Sequence, residues 1–242
     1  MAVFAMTNVR TLIGGVEVTS LSNNAAVSVD VAELPVTTFG SGGTMTRIAG
    51  LRDSRFNCAG WVDYSEAVDA AQFTGVGTSQ SLMVLPTGGG LGEVAWFGNQ
   101  LQGNYQTGAR VGEVMPFTVD YMTNGPFVRG QVLVPSSSAV TTSTTGTPVQ
   151  IAAVPAGSKV YAQVQCTARS GSISLAINLQ SAAAQAFSSP TTRASFSTVN
   201  AVGVQSITPV AGAITDTWWR ADITATGTGS ATIVIVAGIA TV

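Results

Sequence analysis

Apolar side chains recur at every second residue along most of this chain, and at helical spacing in one place only. Val27, Val29 and Val31 alternate with Ser28, Asp30 and Ala32. Met115, Phe117, Val119 and Tyr121 do the same around Pro116, Thr118 and Asp120. So do Val160, Ala162, Val164 and Cys166 against Tyr161, Gln163 and Gln165. A period of two places neighbouring side chains on opposite faces of a strand, which predicts a mainly β protein. The exception is Tyr64, Ala67, Val68 and Ala71, an apolar stripe at i, i+3, i+4 and i+7. Asp63 and Glu66 have the spacing of an N-cap and its capping-box partner, and Gly75 and Gly77 follow as a stop.

Charge is scarce. Of 242 residues 45% are hydrophobic and only 9% charged, against about 25% in an ordinary soluble domain. Such a surface protects a lone subunit poorly from association, so much of it is expected to be covered in an assembly. Six basic and ten acidic side chains precede Pro135, and four basic and two acidic follow it. No basic run is present, which argues against a DNA-binding stripe or a polybasic membrane patch. The longest apolar stretch, 231–242, is shorter than the ~20 residues of a membrane helix. The opening MAVFAMTNVRTL lacks the pattern of a secretory signal, so folding inside the cell is expected. Cys58 and Cys166 could pair on count alone, but two buried thiols are the default in that compartment.

The turns divide the chain. Val9, Thr11 and Ile13 lead into Gly14-Gly15, and Val16 and Val18 resume the alternation, as in a tight hairpin. Residues 37–53, with Gly40, Gly42, Gly43, Arg47, Gly50 and Arg52, read as a long loop. Further strands are expected over 54–62, 81–85, 93–102, 111–121 and 127–134. The stretch 135–148, PSSSAVTTSTTGTP, reads as a flexible linker. We therefore expect a first domain over 1–135, a Ser/Thr-rich linker over 136–148 and a second, all-β domain over 149–242. In the latter, 160–169 and 173–180 are expected to form a hairpin with one wet and one dry face. Strands over 193–198, 203–208, 217–226 and 232–239 would complete a sandwich.

Catalytic chemistry finds little to stand on. The chain has no histidine, which removes Ser-His-Asp and Cys-His catalysis and the usual zinc sites. Lys159 is the only lysine and follows Gly157-Ser158 at a strand start, where a solvated side chain is expected. The run 87–92, TGGGLG, lacks the following helix and the Gly-Lys-Ser/Thr of a phosphate loop, and reads as a hairpin connection. Asp63 with Glu66 suits a helix cap, and Asp216 with Asp222 has no evident partner. An enzyme is not expected, nor a cofactor or metal. In Trp218-Trp219 one ring must face each way: Trp219, in phase with Ala221 and Ile223, is the core anchor. Trp218, beside Arg220, is a candidate glycan contact or is packed under a loop.

Over roughly 9–135 the order of features resembles the major tail protein (tail tube) family of long, non-contractile-tailed bacteriophages. It starts with the hairpin TLIGGVEVTSLSNN and the strand VSVDVAELPVTTFG, then the Gly/Arg loop into TRIAGLRDSRFNCAGWVD. The helix DYSEAVDAAQF and the closing FVRGQVLVP follow. The resemblance implies an N-terminal antiparallel β-sandwich with one flanking α-helix, and the second domain is similar to appended immunoglobulin-like or carbohydrate-binding-like sandwiches. It implies self-assembly into hexameric rings stacked as a tube in the virion tail, assembled in the host cytoplasm. Partners would be tape measure, terminator and distal tail proteins, with double-stranded DNA passing transiently and weak host-glycan contact outside. Gly40, Gly42, Gly43, Arg47 and Arg52 would belong to the ring-stacking loop. Asp30, Glu33, Glu93, Glu113 and Asp120 would be candidate lumen carboxylates, since an acidic bore repels phosphates. A glycan-binding adhesin and a capsid decoration protein are the alternatives.

Overall fold

The computed structural model describes residues 8–38, 40, 42–63 and 68–241. Tyr64, Glu66 and Ala67 of the expected helix start lie outside the described residues. The first half runs β1 (Arg10–Ile13), β2 (Val16–Glu17), β3 (Ser22–Pro35), β4 (Arg47–Trp61), α1 (Val68–Gly75), β5 (Ser79–Leu85), β6 (Val94–Thr107) and β7 (Pro116–Val140). The second runs β8 (Thr144–Thr145), β9 (Val149–Gln150), β10 (Ser158–Gly171), β11 (Ser174–Ala182), β12 (Thr191–Ser195), β13 (Gly203–Ser206), β14 (Val210–Ala211), β15 (Trp218–Thr226) and β16 (Gly229–Thr241). Among the described residues the fold is mainly β, as the alternation predicts, with curled antiparallel sheets and one flanking helix.

One large sheet joins both halves in the order β13-β10-β16-β7-β6-β5-β1-β2, with β4 on β7 and β3 on β4. Its spine is β7. The sequence predicts a break near Thr123-Asn124-Gly125-Pro126, between two strands. Instead one strand spans 116–140, and the pairing with β6 absorbs the irregularity as a register shift between Gly98 and Gln100.

The expected linker also differs. Residues 135–140 are the end of β7, 138–140 pair with β16, Ser136 is buried, and β8 pairs with β15. Polar, low-complexity sequence suggests a tether, but Ser and Thr satisfy a ladder as well as any residue when a neighbouring strand supplies the partner. Ser136 is held instead by the 87–92 turn and β1: its hydroxyl donates to the Gly88 carbonyl and accepts from Arg10.

The large sheet curls until its two ends touch. In the two-residue turn between β1 and β2, Gly14 and Gly15 take φ of 61° and 88°, the conformation that only glycine adopts cheaply. The Gly15 N–H donates to Gln165 Oε1 of β10 at 3.2 Å. A Cβ on Gly15 would lie 2.6 Å from Gly203 Cα on β13. Inside the curl Leu12, Met83, Leu85, Phe97, Val128, Val132, Val234 and Val236 form a core drawn from both halves.

A second sheet, β12-β11-β15-β8 with β9 on β15, covers the other face of β10, β16 and the end of β7. Strands β10 and β11 are therefore not a hairpin. β10 pairs with β16, β13 and β14, and β11 with β12 and β15. The chain crosses at Ser172 from one sheet to the other, and the two dry faces meet in the core around Val160, Val164, Leu175, Ile177 and Trp219. The other face of β10 is not wet either: Gln163 and Gln165 are buried, and the Gln165 amide donates to Gln163 Oε1. Cys58 and Cys166 are separate, buried thiols.

Candidate assembly surface

The part of the large sheet nearest the N-terminal core forms a four-stranded wing, β3-β4-β7-β6. It uses Pro116–Met122 of β7 and the distal part of β6, because β5 covers β6 only as far as Leu101. Register assigns its two faces, since directly paired residues share a side. Ala25, Cys58, Val119 and Tyr105 form one row, and Val27, Phe56, Tyr121 and Gln102 the next. These rows pack onto the core with Ile13, Val18, Leu82, Val84 and Val68 of α1.

Helix α1 is held by polar groups at this surface. The Tyr121 hydroxyl donates to Gln72 Oε1, and the Gln102 amide donates to the Gln72 carbonyl at 2.7 Å. Burial pushes the Tyr121 phenol well above its ordinary range, so it stays a donor. Tyr105 adds a hydrogen bond to Asp69. The buried face is Val68, Gln72 and Gly75, so a glutamine takes the place that the expected stripe gave to Ala71. Hydrophobic periodicity could not find it, because its burial depends on partners in β6 and β7.

The opposite face of the wing is polar. One row is Ala26, Asn57, Asp120 and Asn104; another is Asn24, Ala59, Thr118 and Gln106; toward the arm come Ser28 with Arg55 and Met122, and then Asp30 with Asp53. Asp120 sits at the centre and accepts from Asn57 Nδ2 at 2.7 Å and Asn104 Nδ2 at 2.8 Å. Arg55 donates to Asp53 at 3.1 Å, and that hydrogen bond, with one from Thr123, holds the Asp53 carboxyl below the usual carboxylate range. Asp30 and Asp120 thus share a face, together with Asp53, which sequence reasoning did not single out. The other candidates fall elsewhere. Glu33 pairs with Arg47 at 3.2 Å near the hairpin tip. Glu93 accepts from the Thr87 hydroxyl and the Gly90 N–H, closing the 87–92 turn. Glu113 is exposed in the β6–β7 connection.

Both lateral edges of the wing are open. Among the described residues no strand pairs with the outer edge of the 14-residue β3, nor with that of β6 over 103–107. Beyond the core, β3 and β4 continue alone as a two-stranded arm. The expected long loop is shorter than 37–53: β4 begins at Arg47, the connection is 36–46, and the Val36 N–H donates to the Thr46 carbonyl. Gly40, Gly42 and Gly43 lie in that connection, whereas Arg47 and Arg52 lie on β4, opposite Pro35 and Val31. The arm exposes Val29, Val31, Leu34, Val36, Met45, Ile48 and Leu51, the last at 87%.

In the C-terminal sandwich Trp219 is fully buried and donates from Nε1 to the Ala152 carbonyl at 3.2 Å. Trp218 is half-buried, and Arg220 stacks 4.2 Å over the Phe187 ring while donating to Gln180. Among the described residues no group of three or more His, Cys, Asp or Glu could hold a metal ion, and no helix is long and apolar enough to cross a membrane.

No protein-family model matches the chain, and no curated protein does. Among solved structures, it is similar to a chain in the tail of an empty gene transfer agent particle refined with C6 symmetry, with TM-score 0.39, 14% identity, and 50% of this chain and 92% of that one covered. A chain from the virion of a native gene transfer agent particle gives TM-score 0.35 and 14% identity, covering 44% and 82%. The SPP1 Dit protein, described as a paradigm of the hub adsorption apparatus in phages infecting Gram-positive hosts, gives TM-score 0.36 and 10% identity, covering 96% and 99%.

Proposed function

We propose that this chain is a structural, non-enzymatic subunit of a bacteriophage tail tube, closing side by side into hexameric rings that stack around a DNA channel. One observation carries the reading: a four-stranded wing with both edges unpaired, one face packed and the other polar. Open edges are an aggregation hazard unless something completes them, and sibling copies can do so by pairing β3 of one with β6 of the next. At about 4.8 Å per strand, six copies of four strands make a perimeter of about 115 Å, or a circle about 37 Å across between backbones, wider once the strands tilt. That leaves room for a duplex after side chains are subtracted.

The polar face would line the bore. Asp30, Asp53 and Asp120 against Arg55 give it an acidic balance, which lets DNA pass without the many-contact sticking that a basic wall produces. Glu33, Glu93 and Glu113, placed off that face, are dropped from the proposed lining. The arm, with Gly40, Gly42, Gly43, Arg47 and Arg52, would reach the adjacent ring. Residues 149–242 would form an outer decoration fixed to 1–135 through β7 and β16, with Trp218 as the candidate glycan contact. Tape measure, terminator and distal tail proteins would meet the two ends of the tube in the virion, assembled in the host cytoplasm.

Negative-stain micrographs of the purified full chain test this. Rings or tubes with a central hole of duplex width are expected, and a dispersed monomer at high concentration would contradict the reading. Rings that never elongate would point to a terminal ring of the tail instead of its tube.

A further inference from the structure

We propose that Asn124-Gly125 is a site of spontaneous covalent modification, at which the Gly125 backbone nitrogen attacks the Asn124 side-chain amide. It is the only Asn-Gly pair in the sequence. The glycine leaves the attacking nitrogen unshielded, whereas Asn57, Asn104 and Asn178 precede Cys58, Tyr105 and Leu179. Those three amides are also occupied: Asn57 and Asn104 donate to Asp120, and Asn178 accepts from Ser195. Among the described residues no hydrogen bond holds the Asn124 amide.

Ring closure needs backbone freedom that a paired strand withholds, and β7 relaxes that restraint here. Its pairing with β4 ends at Met122, and its pairing with β16 starts at Gly130. On the other side Thr123 pairs with Gln100 and Phe127 with Gly98, so Asn99 alone faces residues 124–126 and two of them are surplus to the ladder. Asn124, Gly125 and Pro126 are exposed, Gly125 has φ 135°, and a Cβ built on it would meet no atom within 4 Å. Attack forms a bond from the Gly125 nitrogen to Asn124 Cγ and breaks the bond from Cγ to Nδ2, which leaves as ammonia with the proton of the attacking nitrogen. Water then opens the five-membered imide, and no other co-reactant is needed. Cleavage at Cγ gives aspartate. Cleavage at the Asn124 carbonyl carbon gives isoaspartate, whose main chain is one atom longer. Either way a neutral amide becomes a carboxylate. The change falls between the part of β7 in the wing and the part paired with β16, so it marks the joint between them.

Ageing the full chain in mildly alkaline buffer tests this. Trypsin then releases residues 111–129, in which Asn124 is the only asparagine and no glutamine occurs, so a gain of one mass unit reports its conversion alone. Conversion in the folded chain should run within about tenfold of the rate in the excised 111–129 peptide, as expected of a segment with little protection. An isoaspartate methyltransferase should label the aged protein. Asn124→Gln, whose longer side chain closes a six-membered ring more slowly, should abolish both signals. Slower conversion than that in the folded chain, or earlier conversion at any other asparagine, overturns the assignment. Neither result bears on the tube reading.

Discussion

The C-terminal sandwich and the N-terminal wing are built from the same period-two sequence, yet one is finished within the chain and the other is not. In the sandwich, β11, β12 and β15 cover β10 and β16, and Val164, Ile177, Trp219 and Ile235 reach complete burial from both sides. In the wing only the face toward α1 is covered, and the lateral edges of β3 and β6 lack partners among the described residues. Alternation guarantees a two-faced strand. Whether its second face and its edges meet protein or water depends on topology and copy number. Substitutions should therefore act on stability in the sandwich and on assembly in the wing.

The largest effect on stability is expected at Trp219. Trp219→Ala empties a fully buried site and removes the hydrogen bond to Ala152, costing about 3–5 kcal/mol, read as a drop in denaturant midpoint at unchanged slope. Gly15→Ala comes next. The backbone at φ 88° and the close approach to Gly203 make its cost about 2–4 kcal/mol. Because that turn joins the two ends of the curled sheet, both halves should lose stability in one transition. Two separate transitions would show that the halves fold independently and would break the picture of a shared core.

A wing variant sharpens the contrast. Asp30→Lys with Asp120→Lys changes exposed or half-exposed positions on the polar face, so monomer stability should fall by only about 1–2 kcal/mol, chiefly from the two amide hydrogen bonds that Asp120 accepts. Assembled particles, however, should bind DNA with a steep salt dependence that the parent protein lacks. DNA binding unaffected by the substitutions would remove this face from the bore.

The smallest effect is electrostatic. The Ser181 hydroxyl, then the Arg193 guanidinium at 2.9 Å, hold Asp216 below the ordinary carboxylate range. A depressed folded value means that its stabilisation is complete above the unfolded pKa, about 3.9, and is lost as pH falls through the folded value. Acid titration of Asp216→Asn should lack that component, and the difference should vanish at the acid limit. The wing should be indifferent to this substitution.

Much of this contrast is legible in the residues. Gly14-Gly15 between alternating segments announces its hairpin, and Trp219 its core role. What cannot be read is non-local. Gln163 and Gln165 look solvated until the curl brings Gly15 to them. Asp53 joins Asp30 and Asp120 only through the β3–β4 register, while Glu93 leaves that group because it closes a turn. Residues 138–140 look like part of a tether until β16, about 90 residues further on, pairs with them.

In the proposed ring, another copy completes the outer edge of β3. Amide hydrogen exchange on dissociated and assembled protein, followed in peptides from Ser22–Pro35 and Gly229–Thr241, addresses it directly. We predict that assembly slows exchange in the β3 peptides and leaves β16, already paired on both sides, unchanged. Equally fast exchange along β3 in both states would contradict the account.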